Sequence, residues 1–97
     1  MNIVWSPTAQ NKIKEILEYI SEDNPGAALN LINDFERKVE NLKENPESGR
    51  IVNEITNPSI RELVVHENYG IIYEIGHDVF EFLTVRHFRQ NFSADKF

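Results

Sequence analysis

The stretch Tyr19-Ile20-Ser21-Glu22-Asp23-Asn24-Pro25-Gly26-Ala27-Ala28 joins two amphipathic patterns. Upstream of it, Ala9, Ile13, Ile16, Leu17 and Ile20 recur at steps of three and four, with Lys12, Lys14, Glu15, Glu18 and Glu22 between them. That spacing predicts an amphipathic helix of about four turns. Downstream, Ala28, Leu31, Ile32, Phe35, Val39 and Leu42 form a second stripe, which Asn45-Pro46 stops. Asn24 can cap the second helix, and Pro25 can take its first position, where a missing N–H costs nothing. Two helices joined this closely make an antiparallel hairpin.

Outward from the hairpin the pattern turns extended. Ile3-Val4-Trp5 reads as a strand that runs into Ser6, a good N-cap, and Pro7 at the first helical position. Residues 46–59 read as a loop rich in turn formers (Pro46, Ser48, Gly49, Asn53, Asn57, Pro58, Ser59), with Ile51, Val52 and Ile55 expected to pin it to the core. From Ile60 three strands follow: Ile60 to His66, Tyr69 to Ile75 and Val79 to His87. Turns fall at Glu67-Asn68 and Gly76-His77-Asp78. Alternation sends Ile71, Tyr73 and Ile75 to one face of the second strand and Ile72 to the other. In the third strand it sends Val79, Leu83 and Val85 to one face and Phe80 and Phe82 to the other, as expected of a central strand covered on both sides. The predicted architecture is α+β and two-layered, in the order β-α-α-β-β-β. A helical hairpin packs on a small, largely antiparallel sheet, with residues 1–97 forming one domain.

Charge bounds the partners. The 97 residues carry 10 Lys plus Arg against 16 Asp plus Glu, a formal net charge of -6. Nucleic-acid affinity rests on cations that neutralise phosphates, so this balance opposes it unless a basic patch exists. Residues 85–97 hold Arg86, Arg89 and Lys96 against Asp95 alone, which places any anion-facing surface near the C-terminal end. The absence of cysteine excludes a disulfide scaffold and a cysteine metal site, and it fits a reducing compartment. No run of roughly 20 apolar residues spans a bilayer, and the N-terminus lacks a signal-peptide pattern. The expectation is a cytoplasmic protein with no membrane partner.

No G-x-G-x-x-G, P-loop or nucleophile elbow occurs. His66, His77 and His87 share no metal-binding spacing, so neither a metal nor a cofactor is expected. The most suggestive segment is Val85-Arg86-His87-Phe88-Arg89-Gln90. An imidazole moves protons near neutral pH, and a guanidinium holds a phosphate or carboxylate by two hydrogen bonds. Arg61, on a neighbouring strand, would converge on the same area. Alternatively, these charges mark the solvated end of a strand and pair with Glu62 or Glu74. Glu54 would form an acid–base pair with His87 if the long loop folds over the sheet, and is otherwise an ordinary surface glutamate.

Six segments, in order, resemble the ParE/RelE toxins. They are Val4-Trp5-Ser6-Pro7-Thr8-Ala9; the Tyr19 to Ala28 link; Asn45-Pro46-Glu47-Ser48-Gly49-Arg50; Arg61-Glu62-Leu63-Val64-Val65; Tyr69-Gly70-Ile71-Ile72-Tyr73; and Val85 to Gln90. The resemblance implies the toxin of a type II toxin–antitoxin pair, wrapped and neutralised by a cognate antitoxin in a hetero-oligomer. The ParE-like branch poisons DNA gyrase. The RelE-like branch enters the ribosome and cleaves mRNA, with the RNA 2′-hydroxyl as nucleophile. Gly70 stands where the resemblance leads one to expect a strand arginine, and the net charge is negative. Both departures favour the ParE-like branch, in which Arg86 and Arg89 make contacts and His87 is structural. In the RelE-like alternative, Arg61 and Arg86 hold the scissile phosphate and His87 is the general acid. A third reading is a degenerate member that has lost toxicity.

Overall fold

The computed structural model describes residues 2–66 and 68–87. Glu67 of the expected turn, Arg89, and the tail aromatics Phe88, Phe92 and Phe97 lie outside the described residues. The order is β1 (Asn2–Trp5), α1 (Pro7–Asp23), α2 (Pro25–Glu44), β2 (Arg50–Ile51), β3 (Ile60–His66), β4 (Tyr69–Ile75) and β5 (Val79–His87). Both helices begin as their caps dictate. The Ser6 hydroxyl accepts the Ala9 N–H at 3.0 Å, and the Asn24 side-chain oxygen accepts the Ala27 N–H at 3.1 Å. Asn24 alone separates the two helices.

The five strands form one sheet in the order β1-β5-β4-β3-β2. β1 runs parallel to β5, and every other pairing is antiparallel. The hairpin covers one face. Ala9, Leu31, Phe35 and Leu42 from the helices meet Leu63, Val65, Ile71, Tyr73, Phe80, Phe82 and Val85 from the sheet. Each large side chain among them contributes about 1.5–3 kcal/mol by leaving water. Trp5 stands edge-on to Phe82 with ring centroids 4.8 Å apart, which ties the first strand to the last. Ile32 leaves the expected stripe and is 37% exposed. Leu31 and Phe35, four residues apart, aim at the sheet, and a residue one step on is turned about 100° away from them.

The structure corrects three other sequence expectations. Residues 46–59 are not wholly loop, because Arg50 and Ile51 pair with Glu62 and Arg61 as the short edge strand β2. Ile51 does not pin this segment: it is 54% exposed on the sheet edge, while Val52 is buried. The face assignment of β5 also fails. Ile72 faces Thr84 whereas Tyr73 faces Phe82, so Leu83 is an extra residue with no opposite number in β4. Such a bulge resets the alternation. Phe80, Phe82 and Val85 therefore all join the helix-side core.

Candidate functional site

The register sorts the candidate residues by face. On β3, Arg61 lies on the same side as core residues Leu63 and Val65, and Glu62 lies on the opposite side. On β5, His87 opposite Tyr69 belongs to the helix side, and Arg86 opposite Gly70 belongs to the other. Arg61 and Arg86 thus project from opposite faces. Arg61 and His87 share a face, but their partners Tyr73 and Tyr69 are four residues apart on β4, about 13 Å along the strand.

Each of these residues has its own surroundings. Arg61 turns to the segment after α2, where its Nη1 donates to the carbonyls of Glu47 (3.3 Å) and Gly49 (3.1 Å). The buried Tyr73 serves the same segment: its hydroxyl donates to the Pro46 carbonyl at 2.8 Å and accepts the Gly49 N–H at 3.0 Å. Burial holds the Tyr73 phenol above its ordinary pKa. His87 packs edge-on against Tyr69, ring centroids 4.9 Å apart. It lines a groove of about 410 Å³ with Lys12, Ile16 and Tyr19 of α1.

The strongest electrostatic feature is on the face turned away from the helices. The Glu62 side chain is fully buried and lies between two arginines. Arg86 donates through Nε to Oε2 (2.5 Å) and through Nη2 to Oε1 (2.9 Å). Arg50 donates through Nε (3.0 Å) and Nη2 (2.7 Å) to Oε1. Burial alone would raise the Glu62 pKa. The hydrogen bonds and charge of Arg86 and Arg50 outweigh it, and the carboxyl sits below its ordinary value. Its hydrogen bond to Glu62 chiefly raises the pKa of Arg86 in turn. Glu54 reaches the same arginine, with Oε1 at 3.7 Å from Nη1. The segment after β2 therefore crosses this face of the sheet. Val52 and Ile72 are both buried yet lie outside the helix-side cluster, as that crossing requires.

Gly70 makes the Glu62 position possible. A Cβ on Gly70 would lie 2.8 Å from Glu62 Oε2 and 3.0 Å from its Cγ. The space left by the missing side chain is the route by which the carboxylate crosses β4 to Arg86.

Set against the sequence expectations, the structure brings Glu54 to Arg86 rather than to His87. It pairs Arg86 with Glu62, as the strand-end alternative anticipated, and it does not bring Arg61 to either. Sequence reasoning missed Arg50 as a second clamp on Glu62. The available signal was a carboxylate alternating out of an otherwise apolar strand, since such a group needs a cation when buried. His66, placed at an exposed strand end, meets Asp34 of α2 at 3.1 Å, and His77 is fully exposed in its turn. Among the described residues no group of three His, Cys, Asp or Glu is placed to hold a metal ion, and no helix is long and apolar enough to cross a membrane.

Comparison with known proteins agrees with this architecture. The Y4kP protein of Sinorhizobium fredii is 40% identical over 89 residues, covering 91% of this chain and 88% of its own. Toxin RelE2 of Caulobacter vibrioides is 29% identical over 85 residues, covering 88% and 92% respectively. Among solved structures, a chain of the chromosomal ParDE system from P. aeruginosa superposes with a TM-score of 0.70 at 17% identity, covering 90% of this chain and 95% of that one. The YoeB/ParE toxin from Agrobacterium tumefaciens gives 0.64 at 12% identity, covering 90% and 98%. At those identities the structural likeness speaks to the fold. The family description "ParE toxin of type II toxin-antitoxin system, parDE" matches residues 3–92, and the chain therefore belongs to the ParE/RelE superfamily of type II toxin–antitoxin toxins, whose members act opposite a cognate antitoxin.

Proposed function

We propose that the chain acts in the cytoplasm as a ParE-like inhibitor of DNA gyrase, held inactive in a hetero-oligomer with its antitoxin. The observation that carries this reading is the dispersal of the cations that an mRNA endonuclease would need. Arg86 is committed to a buried carboxylate, Arg61 supports the backbone after α2, and His87 packs on Tyr69. A phosphoryl-transfer site instead needs its cations and proton donor aimed at one reacting phosphate. The family match over residues 3–92 supports the same branch. In this reading the Glu54–Arg86 rim, together with Arg89, contacts the target, and His87 is a packing residue.

The test is a gyrase assay with purified protein, paired with pulse-labelling of cells after induction. Supercoiling or religation by gyrase falls while protein synthesis continues through the first generation. Gyrase left untouched at large molar excess, with synthesis collapsing and transcripts cut within codons, overturns the proposal in favour of the endonuclease.

A further inference from the structure

We propose that Glu62 is a specificity-determining residue: by reaching over Gly70 it neutralises Arg86 and Arg50 and so bars nucleic-acid phosphate from this pair of guanidinium groups. The inference deepens the gyrase reading and rests on it, since it explains how a toxin aimed at a protein keeps its guanidinium groups off RNA.

The argument is geometric. Arg50 and Arg86 converge on one carboxylate from two sides, with four donor contacts between 2.5 and 3.0 Å. Two guanidiniums at that spacing form a fork that suits a phosphate as well as a carboxylate. Glu62 occupies the fork from within the fold, so an incoming phosphate competes with a permanently tethered anion at very high effective concentration. Glu54 adds a second carboxylate at the rim, 3.7 Å from Arg86. The local charge of the two arginines is thereby cancelled on a chain whose net charge is -6. The occupant also sets a requirement on its neighbour. A Cβ at position 70 would lie 2.8 Å from Glu62 Oε2, so glycine there and the filled fork are one device.

The test measures binding of a fluorescent oligouridylate of about 12 nucleotides to the wild-type chain and to Glu62→Gln, Glu54→Gln and Gly70→Ala. Circular dichroism checks the fold of each protein. Wild type binds weakly. Glu62→Gln gains about tenfold at about 50 mM salt, and that gain falls about sevenfold by about 200 mM, the dependence for two phosphate contacts on a single strand. Glu54→Gln alters a half-exposed rim residue and gives a smaller gain in the same direction. Folded Glu62→Gln with no gain overturns the inference. If Glu62→Gln does not fold, Gly70→Ala decides, because its Cβ crowds the Glu62 carboxylate in the fork: a salt-sensitive gain supports the inference and no gain overturns it. Wild type binding the RNA as tightly as the variants also overturns it. The gyrase reading is scored separately, on wild-type protein in the gyrase assay, so the two failures are distinguishable.

Discussion

The backbone N–H of Gly49 donates at 3.0 Å to the phenolic oxygen of Tyr73, which stands on β4, two places in from the sheet edge. The approach is so close that a Cβ on Gly49 would lie 2.5 Å from that oxygen. With the Tyr73 bond to Pro46 and the Arg61 bonds to Glu47 and Gly49, one phenol and one guanidinium fasten the chain as it leaves α2 and enters β2. Arg61 thus acts in the fold, at a distance from the Arg86 network.

Replacing Tyr73 with Phe keeps the ring in the core but leaves the Gly49 N–H and the Pro46 carbonyl without their partner. The expected loss is about 1–3 kcal/mol, or a fall in Tm of roughly 5–20 °C for a chain of this size. Gly49→Ala costs at least as much, because its methyl group collides with a phenol that has no room to retreat. Thermal melts of the two variants check both. An unchanged Tm for Tyr73→Phe would show that the segment is held by other contacts.

Glu62 makes stability depend on acid. Its folded pKa lies below its ordinary value, so in the intervening range the unfolded chain binds more protons than the folded one. The contribution is present in full above about pH 4.5 and is lost as pH falls through the lowered folded value. Chemical denaturation from pH 7 to pH 3 should show stability falling more steeply for wild type than for Glu62→Gln below pH 4.5, with the two curves converging at the acid end. Parallel curves would mean that Glu62 is not coupled to Arg86 and Arg50 in solution.

The regular elements were legible because local chemistry and long-range packing agree in them. Ser6-Pro7 and Asn24-Pro25 start helices where cap and proline chemistry place them, and the three long strands begin and end where their apolar alternation does. The bulge at Leu83 was not legible. It depends on the register between β4 and β5, and nothing in Phe82-Leu83-Thr84 marks an extra residue. The candidate site was half legible for the same reason. The residue types at 86 and 62 suggest a pair, but the path between them runs over Gly70, whose lack of a side chain carries meaning only once the strands are in register. Arg61 was misplaced because alternation along β3 turns it to the face opposite Arg86 and the register sets it about 13 Å along β4 from His87, consequences the charge pattern alone does not reveal.

Asp78 offers a clean backbone test. It sits in the turn between β4 and β5 at φ 61°, the left-handed region, and its side chain is 86% exposed. Aspartate tolerates that region better than a β-branched residue does. Asp78→Val should cost about 1–2 kcal/mol through the backbone alone, while Asp78→Gly should be neutral or slightly stabilising. Equilibrium denaturation of the two variants separates the effects, and equal stability would show that the turn relaxes to another conformation.

Ser6 joins the helix layer to the bulged strand through one hydroxyl. Its oxygen accepts the Ala9 N–H at the start of α1, and its proton goes to the carbonyl of Leu83 at 2.8 Å. The backbone supports the same junction, with the Ser6 N–H donating to Phe82 at 3.0 Å. Ser6→Ala removes both side-chain bonds and should cost about 1–2 kcal/mol, the upper part of the range for a lost N-cap. Ser6→Asp discriminates between the two. A carboxylate still accepts the helix N–H and suits the positive end of the helix, but it faces the Leu83 carbonyl with no proton to give. If the cap alone matters, Asp restores the stability that Ala loses. If the bond to the bulge matters as well, Asp remains below wild type, and hydrogen exchange should show faster opening of the amides around Leu83 in both variants.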